Sequence, residues 1–404
     1  MRSSVPHPAS RIMHPASRIP TPMKIALTIL SENPLRKTGL TSLFHEFVSR
    51  ALNLFPDVSW VIFAGPNQEW TAVNERVEVV RDFPANDRLG RRLWADHFQV
   101  CPAARARGAD VLVTVGFVPV RKCLPVAMHA LSLQALDTRN RVGLLRELYR
   151  RWIVKYSWPK ADLLFVNSRW TEEQILALDP LFRNHIVISY EGLQHEIFNT
   201  TAAPDEPRRL KEQFGVDPGY VLWVSNFYPY KQHELLLAGY ARLDAESRRR
   251  HPLVMSGGNW FNGLDAARAQ AKSLGIEADV KFLGWIDDPW VPLLYRHAAA
   301  FTLPSREETF GRCVIEAMAC GTPCLVNDIP IMREVTGGHA LIIDYRDAAL
   351  VAKSLRTLLT DTALTTRLRA AGLDQARQFT FEKLATERIT AIRQLVSART
   401  GRVR

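Results

Sequence analysis

No stretch of the chain approaches the ~20 uninterrupted apolar residues that a membrane-spanning helix needs. Cysteine is sparse. Cys101, Cys123, Cys313, Cys320 and Cys324 form no Cys-x-x-Cys pair, and their number is odd. That usage indicates neither a disulfide framework nor a zinc site and fits free thiols in a reducing cytoplasm. No Asp-x-Asp lies in a strand-end loop, and no Ser/His/Asp constellation is evident. A mainly disordered chain is excluded as well, because 47% of the 404 residues are hydrophobic and only 23% are charged.

The first residues also lack something. HPASRI occurs at 7–12 and again at 14–19, without the apolar run of a secretory signal. Residues 1–22 read as disordered or as an over-extended start, with Met23 the expected beginning.

What is abundant is positive charge. There are 52 basic and 41 acidic residues, a net +11. Nucleic acid, an anionic membrane or a phosphate-bearing substrate could each explain the excess. The segment 139–160 holds seven basic residues against Glu147 alone. Its Leu144, Leu145, Leu148, Trp152, Ile153 and Tyr156 alternate with arginines, as in a helix lying on anionic lipid or one with an apolar face on the core. It lacks the context of a nucleic-acid module, and no nucleic-acid partner is expected.

From Met23 onward, short β-branched runs alternate with amphipathic stretches. Strands are expected at Lys24–Leu30, Ser59–Ala64, Asp110–Gly116, Leu124–Met128, Leu163–Val166 and Ile186–Ser189, with a helix at Gly39–Leu54. The polar, proline-containing stretch 199–218 interrupts the rhythm. A second series follows at Tyr220–Ser225, Leu253–Ser256, Val280–Leu283, Ala299–Leu303, Cys324–Val326 and Ala340–Ile343. Helices are expected between these strands at 233–247, 262–275, 289–298, 311–320 and 347–360. The fold class is therefore α/β, with two doubly wound units. The expected boundaries are 23–200, 201–378 and a terminal helical stretch 379–404 returning to the first unit. In such sheets ligands sit beyond the carboxyl ends of the strands, and two units would place the main ligand between them.

The most informative loop follows the Ala299–Leu303 strand. Pro304–Pro323 (PSREETFGRCVIEAMACGTP) places Glu308 before a helix and Glu316 inside it. Between them, the amides of Phe310, Gly311 and Arg312 stand at the helix amino end, where unpaired N–H groups favour an anion. Carboxylate, phosphate cradle, carboxylate suits a sugar, a diphosphate and a ribose in that order. Lys231, in the loop Val224–His233, is placed to meet a phosphate over the same cleft. An ammonium about 4 Å from a phosphate oxygen contributes up to ~4 kcal/mol at an effective dielectric near 20.

Glu308, seven residues, Glu316, then Ala-Met-Ala-Cys-Gly-Thr-Pro resembles the signature of the family 4 retaining glycosyltransferases, and the likeness runs through nearly the whole chain from Met23. The resemblance implies a GT-B fold of two Rossmann-like domains facing a central cleft, a nucleotide diphosphate sugar as donor, and retention at the anomeric carbon. It implies that Glu316 binds the ribose hydroxyls and Glu308 the transferred sugar. His129, ending the stretch PVAMH, resembles the family histidine that faces this sugar. Thr38–Gly39 resembles the glycine loop against the donor phosphates. Two departures bear on charge. Asn226 stands where the family often has arginine, and Arg312–Cys313 replaces the usual Leu-Pro, so Arg312 either reaches the diphosphate or points to solvent. Ser168, Tyr190–Gly192 and Ser256–Gly258 are expected to be structural, and Gly284–Ile286 to meet the nucleobase through its main chain.

The function expected is transfer of a sugar to a hydroxyl acceptor, carbohydrate or lipid-linked, in polysaccharide or lipopolysaccharide assembly. No metal or other cofactor is expected, because Lys231 and the amides at 310–312 substitute for a cation. The setting expected is cytoplasmic, peripheral to the membrane through 139–160. The rival readings are a GT-B nucleotide-sugar epimerase or hydrolase and a non-catalytic binder of nucleotide sugars.

Overall fold

A computed structural model of the chain describes residues 22–32, 39–70, 74–84, 88–130 and 144–400. Seven parallel strands form the first sheet: β1 (Met23–Thr28), β2 (Val58–Phe63), β3 (Val77–Val80), β4 (Val111–Val115), β5 (Val126–His129), β6 (Leu163–Val166) and β7 (Ile186–Ile188). Their order is β3-β2-β1-β4-β5-β6-β7. Six more form the second: β8 (Tyr220–Val224), β9 (Leu253–Ser256), β10 (Val280–Gly284), β11 (Ala298–Leu303), β12 (Cys324–Asn327) and β13 (Leu341–Ile343), in the order β10-β9-β8-β11-β12-β13.

Alternation explains how each sheet carries two apolar faces. In β1, Ile25 and Leu27 join Phe44, Phe47 and Trp60 on one side, whereas Ala26 joins Val61 and Phe63 on the other. In β8, Tyr220 and Leu222 face one core and Val221 and Trp223 the other. Helices cover both faces, so these strands need no polar alternation.

The helix Phe381–Thr400 does not pack on the sheet that precedes it in sequence. Phe381, Leu384, Ala385, Ile389 and Ile392 are buried against β1 and the helix Gly39–Leu54. A parallel bridge between Leu193 and Thr380 marks where the chain crosses back.

In both sheets the strand order reverses at one place, between β1 and β4 and between β8 and β11. Loops leaving neighbouring strands diverge there and open a crevice beyond their carboxyl ends. The loops after β8 and β11 carry Lys231 and Glu308.

Candidate active site

After β8 the chain turns through Ser225–Tyr228 into a short 3-10 turn, Pro229–Lys231. The amide of Arg306 donates to the Tyr230 carbonyl at 2.9 Å and so ties this loop to the one after β11. Across that tie, Lys231 Nζ donates to Glu308 Oε1 at 2.5 Å. Both side chains are only 11% exposed, which marks the pair as more than a surface contact. Burial alone would lower the Lys231 pKa, but the Glu308 carboxylate outweighs it and raises the pKa above the usual lysine value. The group is an ammonium at any physiological pH.

The glycine at 311 makes the next turn possible. Its φ is +85°, and a Cβ there would stand 2.4 Å from Met332 Cε. From this turn the helix Arg312–Ala319 begins. Its inward face holds Glu316, with Oε1 3.2 Å from Arg312 Nε and Oε2 accepting from the Tyr295 hydroxyl at 3.1 Å. Burial pushes the Glu316 pKa up, while Arg312 and Tyr295 oppose the shift. Both carboxylate oxygens are thus held in place before any ligand arrives.

These groups surround a cavity of about 430 Å³. Of the positions singled out in the sequence, Asn226, Lys231, Glu308, Phe310, Gly311, Arg312 and Glu316 line it. Trp285 and Ile286, within the stretch Gly284–Ile286 expected to meet a base, line it too.

One expected placement differs. His129 ends β5 but is fully enclosed, its ring 5.1 Å from Phe44 and 5.0 Å from Phe165, centroid to centroid. Among the described residues neither ring nitrogen has a hydrogen-bond partner, and burial, with Arg388 nearby, pushes the pKa well below the ordinary histidine value. As the last residue of β5 it alternates onto the face that packs Phe44 and Phe165, and it is not among the cavity's lining residues. Gly39 opens the helix Gly39–Leu54, but Thr38 before it lies outside the described residues.

Three segments expected to be structural approach the site. Glu191, Ser256 and Gly257 line the cavity. Gly257 has φ +154°, and a Cβ there would sit 1.6 Å from the Ser225 carbonyl oxygen. Ser168 Oγ donates to the Thr309 carbonyl at 3.0 Å, next to Glu308. Proximity to Glu308 was not readable at Ser168, because 141 residues separate the two partners. The surplus acid in Tyr190–Gly192 was the one available signal for Glu191.

Among the described lining residues, Glu191, Asp288, Glu308 and Glu316 oppose Lys231 and Arg312. The arginine missing at Asn226 is therefore felt. The asparagine serves locally instead, its Oδ1 accepting the Gly258 amide at 3.0 Å. Among the described residues, no group of three or more His, Cys, Asp and Glu side chains could hold a metal ion. The cavity suits a ligand with an anionic centre between two hydroxyl-rich ends: amides and an ammonium in the middle, carboxylates on both sides.

Residues 205–375 match the family Glycosyl transferases group 1. The O-antigen chain mannosyltransferase B of Escherichia coli is 30% identical over 240 residues, covering 59% of this chain and 62% of that protein. A serotype-specific mannosyltransferase WbdA of the same species is 24% identical over 254 residues, 63% of this chain and 31% of that protein. The chain thus spans less than two thirds of the length of these relatives. The sucrose-phosphate synthase structure from Thermosynechococcus elongatus superposes with a TM-score of 0.75 at 20% identity, covering 93% of this chain and all of that one. The fold is GT-B, two Rossmann-like domains.

Proposed function

We propose that this chain, whose residues 205–375 match the family Glycosyl transferases group 1, moves a sugar from a nucleoside diphosphate sugar to a hydroxyl acceptor during polysaccharide or lipopolysaccharide assembly. The observation that carries the reading is the Lys231–Glu308 pair, held at 2.5 Å in a cavity that also contains Glu316.

In this reading Glu316 accepts hydrogen bonds from the ribose hydroxyls, and Glu308 accepts from the transferred sugar. Lys231 and the amides at 310–312 stabilise charge that develops on the departing diphosphate. The bond from the anomeric carbon to the diphosphate oxygen breaks, and a bond to the acceptor oxygen forms on the same face. The acceptor proton passes to the diphosphate. No metal enters this scheme. His129 takes no part in it, because the aromatic cage holds it away from the cavity.

The acceptor is a carbohydrate or lipid-linked glycan, as the relative named for the O-antigen chain suggests. Anionic lipid is the proposed neighbour of 139–160, of which 139–143 lie outside the described residues. There Leu148 and Tyr156 are exposed beside Arg150 and Lys155, whereas Trp152 and Ile153 pack inward. Among the described residues no helix is long and apolar enough to cross a membrane. Unchanged sedimentation of an Arg150→Glu/Lys155→Glu variant with anionic vesicles would remove this contact from the reading.

The deciding measurement is thermal shift against UDP, GDP, ADP and dTDP, without metal and then with magnesium. A ligand at 100 times its dissociation constant adds about 2.7 kcal/mol. Selective stabilisation by one diphosphate without metal is expected, and it names the donor base. Absence of any shift overturns the donor site.

A further inference from the structure

Beside the cavity, two loops build a surface from residues that do not line it. Tyr228 and Tyr230 follow β8; Trp260 and Phe261 follow β9. The Tyr228 ring stacks on Tyr230 at 5.4 Å with 15° between planes, and on Trp260 at 5.4 Å with 17°. Phe261 closes the group, 5.9 Å from Tyr228. Large aromatic side chains ordinarily supply core, as Trp223 and Phe227, close in sequence, do. Here the free end of the ladder is open: Trp260 is 44% exposed and Phe261 71%.

The backbone holds this surface out at some strain. Phe261 and Asn262 both adopt left-handed φ values, +54° and +58°, which are unusual for a bulky residue. Gly263 explains how the turn is forced, since a Cβ there would stand 2.1 Å from the Phe227 carbonyl oxygen. The ladder is also continuous with the cleft. The Lys231 ammonium lies 5.1 Å from the Tyr230 ring centroid while it pairs with Glu308. At the other end, Trp260 Nε1 is 3.1 Å from where a Gly258 Cβ would be, and Gly258 is bonded to the cavity-lining Asn226.

We propose that the open face of Trp260, with Phe261 beside it and Tyr228 and Tyr230 stacked behind it, forms a stacking subsite for a pyranose ring of a glycan chain lying across the mouth of the cleft. A pyranose presents C–H groups on one face and hydroxyls at its edge. A rigid aromatic face with a polar rim matches both, and two-torsion side chains already locked in a ladder lose little entropy on binding. An exposed apolar patch beside a polar cleft marks an interaction site. The subsite rests on the reading of the cleft as a sugar-transfer site and adds the acceptor's grip on it.

The test uses the full chain and two probe sets measured separately by calorimetry or saturation-transfer NMR. One set is α-linked mannose and glucose oligomers of two to five rings. The other is the four nucleoside diphosphates. Trp260→Ala and Phe261→Ala, both at exposed positions, are expected to weaken oligomer binding by about tenfold, while diphosphate affinity stays within about threefold. Trp260→Phe is expected to restore most of the loss. Oligomer binding that is absent in the parent chain, or unchanged in both alanine variants, overturns the subsite. So does a loss of diphosphate affinity in its place, which would make the ladder a nucleobase platform. If no diphosphate binds but oligomers bind through Trp260, the donor reading fails and the subsite stands.

Discussion

The Lys231–Glu308 pair separates stability from chemistry at the level of single residues. Removing one partner of a shielded pair leaves the other charge uncompensated. Lys231→Met is expected to lower stability by roughly 1–3 kcal/mol and sugar transfer by at least about 10²-fold. Adding Glu308→Gln is expected to return most of the stability and none of the activity, a coupling that a double-mutant cycle reads directly. Recovery of transfer in the double variant would remove Lys231 from the leaving-group role.

His129 tests the opposite kind of residue. Its pKa is depressed in the folded state by burial, so the unfolded chain takes up a proton first as pH falls below the ordinary histidine value of 6.5. The stability it contributes is complete above that pH and is lost as acidity increases. His233, also depressed by burial, acts in the same direction. His97, pushed down to about 4, is offset by its neighbour Asp96, pushed up to about 6, because a carboxyl raised by burial favours the folded state as pH falls. His129→Phe fills the cage between Phe44 and Phe165 without a titrating group. The expected outcome is a flatter decline of thermal midpoint between pH 7 and pH 5, with transfer retained to within about threefold. Loss of transfer at unchanged stability would return His129 to the sugar.

Among elements, the parallel strands were the most legible, because burial on both faces writes them as uninterrupted apolar runs. Leu163–Val166 and Leu253–Ser256 coincide with β6 and β9. β3 escaped because Val77–Val80 is a four-residue edge strand with Glu78 exposed. The stretch 233–247 reads as one helix but folds as two, His233–Tyr240 and Ala245–Arg250, since Asp244 caps the second by accepting from the Ser247 amide at 2.8 Å. Pro330–Thr336 was hidden by its leading proline, which suits a first helical turn as well as a loop. At the cleft, the helix from Arg312 was readable from its glycine, whereas the inward turn of His129 depends on packing partners distant in sequence. Gly311 carries the element-scale prediction. Gly311→Ala places a Cβ in a left-handed turn against Met332 Cε and is expected to cost about 1–3 kcal/mol. Met332→Ala relieves the clash but not the φ penalty and, as a fully buried residue, carries its own cavity cost, so a Gly311→Ala cost that is smaller but still present in the Met332→Ala background is the expected signature.

At the scale of the molecule, the cleft belongs almost wholly to one half: of the described lining residues only Glu191 precedes residue 200. What aligns the halves is a small set of contacts away from the ligand. Glu334 Oε1 accepts the Arg169 amide at 2.7 Å and the Tyr190 hydroxyl at 2.8 Å, and Oε2 accepts the Trp170 amide at 3.0 Å. A carboxylate from the second half thus caps the amino end of the helix Arg169–Leu178 in the first, where the helix dipole favours it. Ser168, the residue before that helix, reaches the Thr309 carbonyl beside Glu308. Relative domain motion is the default between domains of one chain, and this latch, together with the packing of Tyr190 on Phe310 and Phe379, sets the balance against opening. Each hydrogen bond to a charged group contributes about 1.5–3 kcal/mol singly, less in combination, so Glu334→Ala should shift the population towards separated halves. The expected result is a larger radius in small-angle scattering and transfer reduced by about tenfold or more. Nucleoside diphosphate affinity should change by less than about threefold, because its site lies within one half. A scattering profile and transfer rate unchanged in Glu334→Ala would mean that the returning helix Phe381–Thr400, rather than the latch, holds the two halves in register.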